Sequence, residues 1–76
     1  MQIRILNGKG DMLLTTKPVA EPTDRLKHMT SKEINAEFNK LIAEGYTAID
    51  DDTDTIIRGI TEKTDSVTMI FPLIGG

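Results

Sequence analysis

Residues 30–46 read TSKEINAEFNKLIAEGY. Ile34, Phe38, Leu41 and Ile42 recur at i, i+4, i+7 and i+8, which sets them on one stripe of an α-helix. Lys32, Asn35, Asn39 and Lys40 fall outside that stripe. Thr30 and Glu33 have the spacing of a capping box, in which each side chain satisfies a free backbone N–H at the helix start. Gly45 is placed to end the helix in the left-handed conformation that glycine adopts without steric cost. The stretch predicts one amphipathic helix, and such a helix can cover one face of a sheet.

The flanks supply the sheet. MQIRIL (1–6) alternates, with Met1, Ile3 and Ile5 on one face and Gln2 and Arg4 on the other, the period of a half-buried strand. Asn7-Gly8 is a hairpin signal, because both residue types tolerate positive φ. MLLTTK (12–17) reads as the partner strand, with Met12, Leu14 and Thr16 on one face. Residues 18–29 carry two prolines and no clean period, and are expected to form a loop, with room for a helical turn at its end. After the helix, Tyr46 is expected to pack at its end. TAI (47–49) and TIIRGI (55–60) read as short strands around the polar turn DDDTD (50–54). TEKTDS (61–66) is a second turn. VTMIFPLI (67–74) is the last strand, with Val67, Met69 and Phe71 on one face and Thr68 and Ile70 on the other. Pro72 donates nothing to a ladder, so it belongs at a strand end or on an edge. No internal repeat or linker interrupts the chain. The whole is an α+β reading: a mixed sheet packed on one main helix, with residues 1–74 a single domain and residues 75–76 a flexible tail.

Composition narrows the function classes. Seventy-six residues without cysteine exclude a disulfide framework and a thiolate nucleophile or ligand. Absence of disulfides suits a reducing compartment, so a cytoplasmic location is the expectation. MQIRILNGKGDM has no long apolar core, so no signal peptide is expected at this start, and no stretch approaches a membrane-spanning length. A net charge of −3 argues against a nucleic-acid partner, which would need a basic face.

Three local patterns invite chemistry. Asp50, Asp52 and Asp54 have the one-three-five spacing of a calcium loop. However, Thr55 stands where the sharp turn needs glycine, and Thr61 where a bidentate glutamate belongs. A solvated acidic turn is the stronger reading, with steering toward a basic partner surface as a secondary option. GKG (8–10) lacks the following Gly-Lys-Ser/Thr of a phosphate loop and reads as a hairpin turn. His28, the only histidine, has no assignable partners and reads as a surface loop residue. No nucleophile, base and orienting group can be assembled, so no enzyme activity is expected. That leaves the final FPLIGG (71–76). Two terminal glycines add nothing to packing and lose the most entropy on ordering. They are useful where a partner must grip bare backbone and reach a terminal carboxylate.

The end of the chain, TDSVTMIFPLIGG, resembles that of the ubiquitin-like β-grasp superfamily, and most closely its prokaryotic sulfur-carrier branch. That branch includes the small subunit of molybdopterin synthase and the thiamine-pathway sulfur carrier. Its members finish with an acidic turn, a strand, a proline, two small or apolar residues and Gly-Gly. Asp65, the strand Val67 to Phe71, Pro72, Leu73, Ile74, Gly75 and Gly76 follow that order. The opening MQI and the length are similar to those of ubiquitin. The family often has two prolines before the tail, and Phe71 stands where the first would be. The loop from Lys17 to Thr30 is longer than usual for it.

The resemblance implies a β-grasp fold in which the last strand lies beside the first, in the middle of the sheet. It also implies a carrier, with the carboxylate of Gly76 adenylated by an E1-like enzyme that uses ATP and magnesium. No cofactor would be bound by the chain itself. A persulfide would then lead to a thiocarboxylate for a sulfur-acceptor enzyme, or a cysteine would give a thioester for a lysine of a target protein. Gly75 and Gly76 would enter the narrow site, while Phe71, Pro72, Leu73 and Ile74 would dock against the partner. The alternative is a ubiquitin-like protein-binding module that is never conjugated, such as a phage or plasmid accessory protein. In either case no nucleic acid or membrane is expected as a partner.

Overall fold

The computed structural model describes residues 1–8 and 10–71. Its elements are β1 (Gln2–Asn7), β2 (Gly10–Thr15), β3 (Leu26–His28), α1 (Ser31–Ala43), β4 (Thr47–Asp50), β5 (Thr55–Ile57) and β6 (Ser66–Ile70). Among the described residues these form one helix packed on a mixed six-stranded sheet, an α+β arrangement. The strand order is β3-β2-β1-β6-β4-β5.

The helix forms as its sequence dictates. The Thr30 side chain accepts from the Glu33 N–H at 3.1 Å, and the Glu33 carboxylate accepts from the Thr30 N–H at 3.0 Å. These two bonds satisfy donors that would otherwise be orphaned at a helix start. The Thr30 N–H first, and the Thr30 hydroxyl second, hold the Glu33 carboxyl below its ordinary pKa by hydrogen bonding to its charged form. At the other end Gly45 takes φ +98°. The Gly45 N–H donates to the Ile42 carbonyl and the Tyr46 N–H to that of Leu41, both at 3.0 Å. This is a Schellman stop, which reverses the chain and delivers Tyr46 to the end of the helix.

The stripe of α1 meets the sheet through Ile34, Phe38 and Leu41. They pack with Ile3 and Ile5 of β1, Leu14 of β2, Ala48 of β4, and Val67 and Met69 of β6. Phe38, Ile3, Val67 and Met69 are wholly buried. The register accounts for the shared face. Ile3 lies opposite Leu14 on one side and Val67 on the other, and Ile5 lies opposite Met12 and Met69. Cross-strand partners point the same way, so one alternation buries an entire row. Strand β6 runs parallel to β1 and antiparallel to β4, so the last strand lies inside the sheet beside the first, as expected.

Five expectations need correction. Residues 18–29 are not all loop: Leu26–His28 is a strand, parallel to β2. It is held where the Leu13 N–H donates to the Arg25 carbonyl at 2.7 Å and the Met29 N–H to that of Thr15 at 2.9 Å. Three mostly exposed residues carry no period, so only the waiting edge of β2 makes them a strand. His28 therefore sits on an edge strand and not in a loop, with Nδ1–H donating to the Lys17 carbonyl at 3.0 Å. Strand β6 ends at Ile70, which leaves Phe71 beyond it and 47% exposed instead of in the buried row, while residues 72–74 of the expected strand lie outside the described residues. Finally, the first hairpin forms, but its positive φ belongs to Gly10 (+110°) and not to Asn7 or Gly8. That φ is what calls for glycine at this position. Strand β5 is also shorter than TIIRGI and ends at Ile57.

Candidate functional site

The candidate site is the point where the chain leaves the sheet. Parallel β1 and β6 finish at the same end, and the ladder continues one step past Ile70. The Phe71 N–H donates to the Leu6 carbonyl at 3.0 Å. The Phe71 ring then stands edge-on to Tyr46, with centroids 5.3 Å apart and planes at 84°. Edge-to-face contact sets the positive rim of one ring against the negative face of the other. Tyr46 is itself fixed by the helix stop, so the Schellman turn and the last strand converge on one aromatic pair. Asn7, Gly8, Tyr46 and Phe71 line an open depression of about 410 Å³ beside it. Of the residues assigned to this site, Phe71 is described and fixed. Pro72, Leu73, Ile74, Gly75 and Gly76 lie outside the described residues.

The acidic turn is organised by local hydrogen bonds. Oδ1 of Asp50 accepts from the N–H groups of Asp52 and Thr53, an Asx turn that fixes the hairpin between β4 and β5. Asp54 completes the reversal with φ +56°, its N–H donating to the Asp50 carbonyl at 2.7 Å. Asp51 points elsewhere: its two carboxylate oxygens accept the hydroxyls of Ser66 and Thr68, each at 2.8 Å. Asp50, Asp51, Asp52 and Asp54 thus tie the turn to itself and to β6. Among the described residues, no three histidine, cysteine or acidic side chains are grouped to hold a metal ion.

Sequence reasoning did not find the hydroxyl clasp on Asp51, because fifteen and seventeen residues separate the partners and only the β4–β6 register joins them. It also missed an opening of about 420 Å³ at the opposite end of the sheet, lined in part by Met1, Thr16, Ile34, Ile60 and Glu62. There the terminal amine donates to the Thr16 hydroxyl at 2.9 Å and lies 4.0 Å from the exposed Asp65 carboxylate. Among the described residues, no helix is long and apolar enough to cross a membrane. Compared with known proteins, the chain matches no family model, no curated protein and no solved structure.

Proposed function

We propose that this chain is a β-grasp, ubiquitin-like carrier whose Gly76 carboxylate is activated by a partner enzyme, the chain serving as substrate rather than catalyst. The observation that carries the reading is the exit geometry. A central strand ends at Ile70, Phe71 is pinned by Leu6 and Tyr46, and the sequence PLIGG follows. A fixed exit lowers the entropy lost when a short segment docks in a narrow cleft. Glycine at the last two positions removes the Cβ atoms that such a cleft would exclude.

The chemistry follows from the weakness of a carboxylate as an acyl donor. ATP, with magnesium, converts it to an acyl-adenylate and releases pyrophosphate. A persulfide then displaces AMP, and a second thiol cleaves the acyl disulfide to leave a thiocarboxylate. Alternatively a cysteine displaces AMP to give a thioester, which a lysine amine resolves to an isopeptide. Intact mass spectrometry of the protein after incubation with ATP in a host lysate tests this, beside a variant lacking Gly76. An adenylate, thiocarboxylate or lysine-linked adduct with the full tail alone supports a carrier, and its identity selects the route. No adduct in a lysate that activates another Gly-Gly carrier overturns it.

A second reading, a binding module that is never conjugated, draws on the exposed Ile56, Ile70 and Phe71. Partner binding unaffected by removal of residues 72–76 would favour that reading.

A further inference from the structure

The two outer strands differ in what they offer a neighbour. Arg25, just before β3, and Lys27 on it put cationic groups along that edge, which opposes pairing with a like edge. On β5 the sequence is Asp54-Thr55-Ile56-Ile57-Arg58. Read against itself in antiparallel order about Ile56, every position meets a complement: Asp54 meets Arg58, Thr55 meets Ile57, and Ile56 meets Ile56. Both Asp54 and Arg58 are exposed, and among the described residues neither belongs to an ion pair.

The hydrogen-bond phase agrees. The Asp51 N–H donates to the Ser66 carbonyl, so alternation along β4 turns Asp51, Ile49 and Thr47 toward β6. Asp50 and Ala48 then face β5, where they pair with Thr55 and Ile57. Ile56 is left with its N–H and C=O directed out of the sheet. Its side chain is 71% exposed, the highest value among the exposed large apolar residues. It lies on the open face, in one row with Ile49.

We propose that the chain self-associates as a two-fold dimer through the free edge of β5, with Ile56 of each copy opposite Ile56 of the other and Asp54 of each facing Arg58 of the other. The two Ile56 residues exchange both backbone hydrogen bonds, the closely bonded pair of an antiparallel ladder. The same patch serves both copies, as a two-fold interface requires. The row Ile49, Ile56, then Ile56 and Ile49 of the second copy becomes continuous across the joined sheets. Asp54 lies in the turn before β5, at φ +56°, and Arg58 just past its end, so antiparallel pairing brings the turn of each copy beside Arg58 of the other. Three residues per copy make a small contact, so the dimer is a weak one that forms with rising concentration. This inference is independent of the tail and of its activation.

Sedimentation velocity of the full chain, from micromolar to millimolar concentration, reads it. The expected result is a shift toward twice the monomer mass, weakened by added salt. Asp54→Lys and Arg58→Asp each place like charges across the edge, and each is expected to remain monomeric. An equimolar mixture of the two variants restores opposite charges at both pairs and is expected to recover the dimer. Circular dichroism checks that each variant is folded. Asp54 sits at positive φ, so lysine there carries some strain; Arg58→Asp, at an exposed position, is decisive by itself if Asp54→Lys is not folded. A wild-type chain that stays monomeric overturns the proposal. So does a dimer that tolerates Arg58→Asp, or a mixture of folded variants that fails to associate.

Discussion

Under α1 the sheet presents Ile3, Ile5, Val67 and Met69, none more than 5% exposed. On its other face the neighbouring residues of the same two strands are Arg4, Leu6, Thr68 and Ile70. That face is not simply polar. Leu13, Arg4, Thr68, Ile49 and Ile56 form one row across it, in register from β2 to β5. A single helix covers one face only, so apolar residues on the other stay half-buried or exposed. The comparison teaches that the alternation in β1 and β6 specifies which face is covered, while the open face keeps apolar groups that the monomer leaves uncovered.

The largest break in this contrast comes from the covered face. Phe38→Ala removes a wholly buried ring and should cost about 3–5 kcal/mol. In a domain stabilised by only about 5–15 kcal/mol, that approaches unfolding, and urea denaturation will measure it. Met69→Ala should cost about 2–5 kcal/mol by the same assay. A loss under 1 kcal/mol in both variants would contradict the assigned core.

The sharper test sits one residue along. Ile70→Thr faces the open side and should change stability by about 0.5 kcal/mol or less at concentrations where the chain is monomeric. A cost equal to that of Met69→Ala would mean that the open face is covered after all. Between these extremes, Thr30→Ala removes the helix cap and should cost about 1 kcal/mol, seen as a lower Tm.

The smallest expected effect is on pH dependence. The folded-state pKa of Glu33 lies below its ordinary value of 4.5, chiefly because its carboxylate accepts from the Thr30 N–H. Its contribution is therefore fully present above that ordinary value and is lost as pH falls through the lowered folded value. Glu33→Gln should flatten the acid limb of the urea midpoint, by slightly lowering stability at neutral pH while leaving stability in acid nearly unchanged. An acid limb identical to the wild type would remove Glu33 from the cap.

Elements whose signals are local could be read directly from the chain. The stripe and capping spacing of 30–46, the Gly45 stop, the first hairpin and the alternation of Ile3 and Ile5 all follow from chain periodicity and terminal hydrogen bonding. Of the candidate site, the strand leading to Phe71 was legible, because Val67 and Met69 alternate with Thr68. Its end at Ile70 was not, since Pro72 marks only the neighbourhood of a strand end and the apolar run IFPLI carries on through it. Tertiary structure alone decided that Leu26–His28 is a strand, because three mostly exposed residues become one only when an edge accepts them. It alone set Tyr46 against Phe71 and Asp51 under Ser66 and Thr68, pairs far apart in the chain that meet through strand register. Periodicity tells a residue which way to face; what it faces depends on the partner strand, and that information is shared between segments rather than held in either.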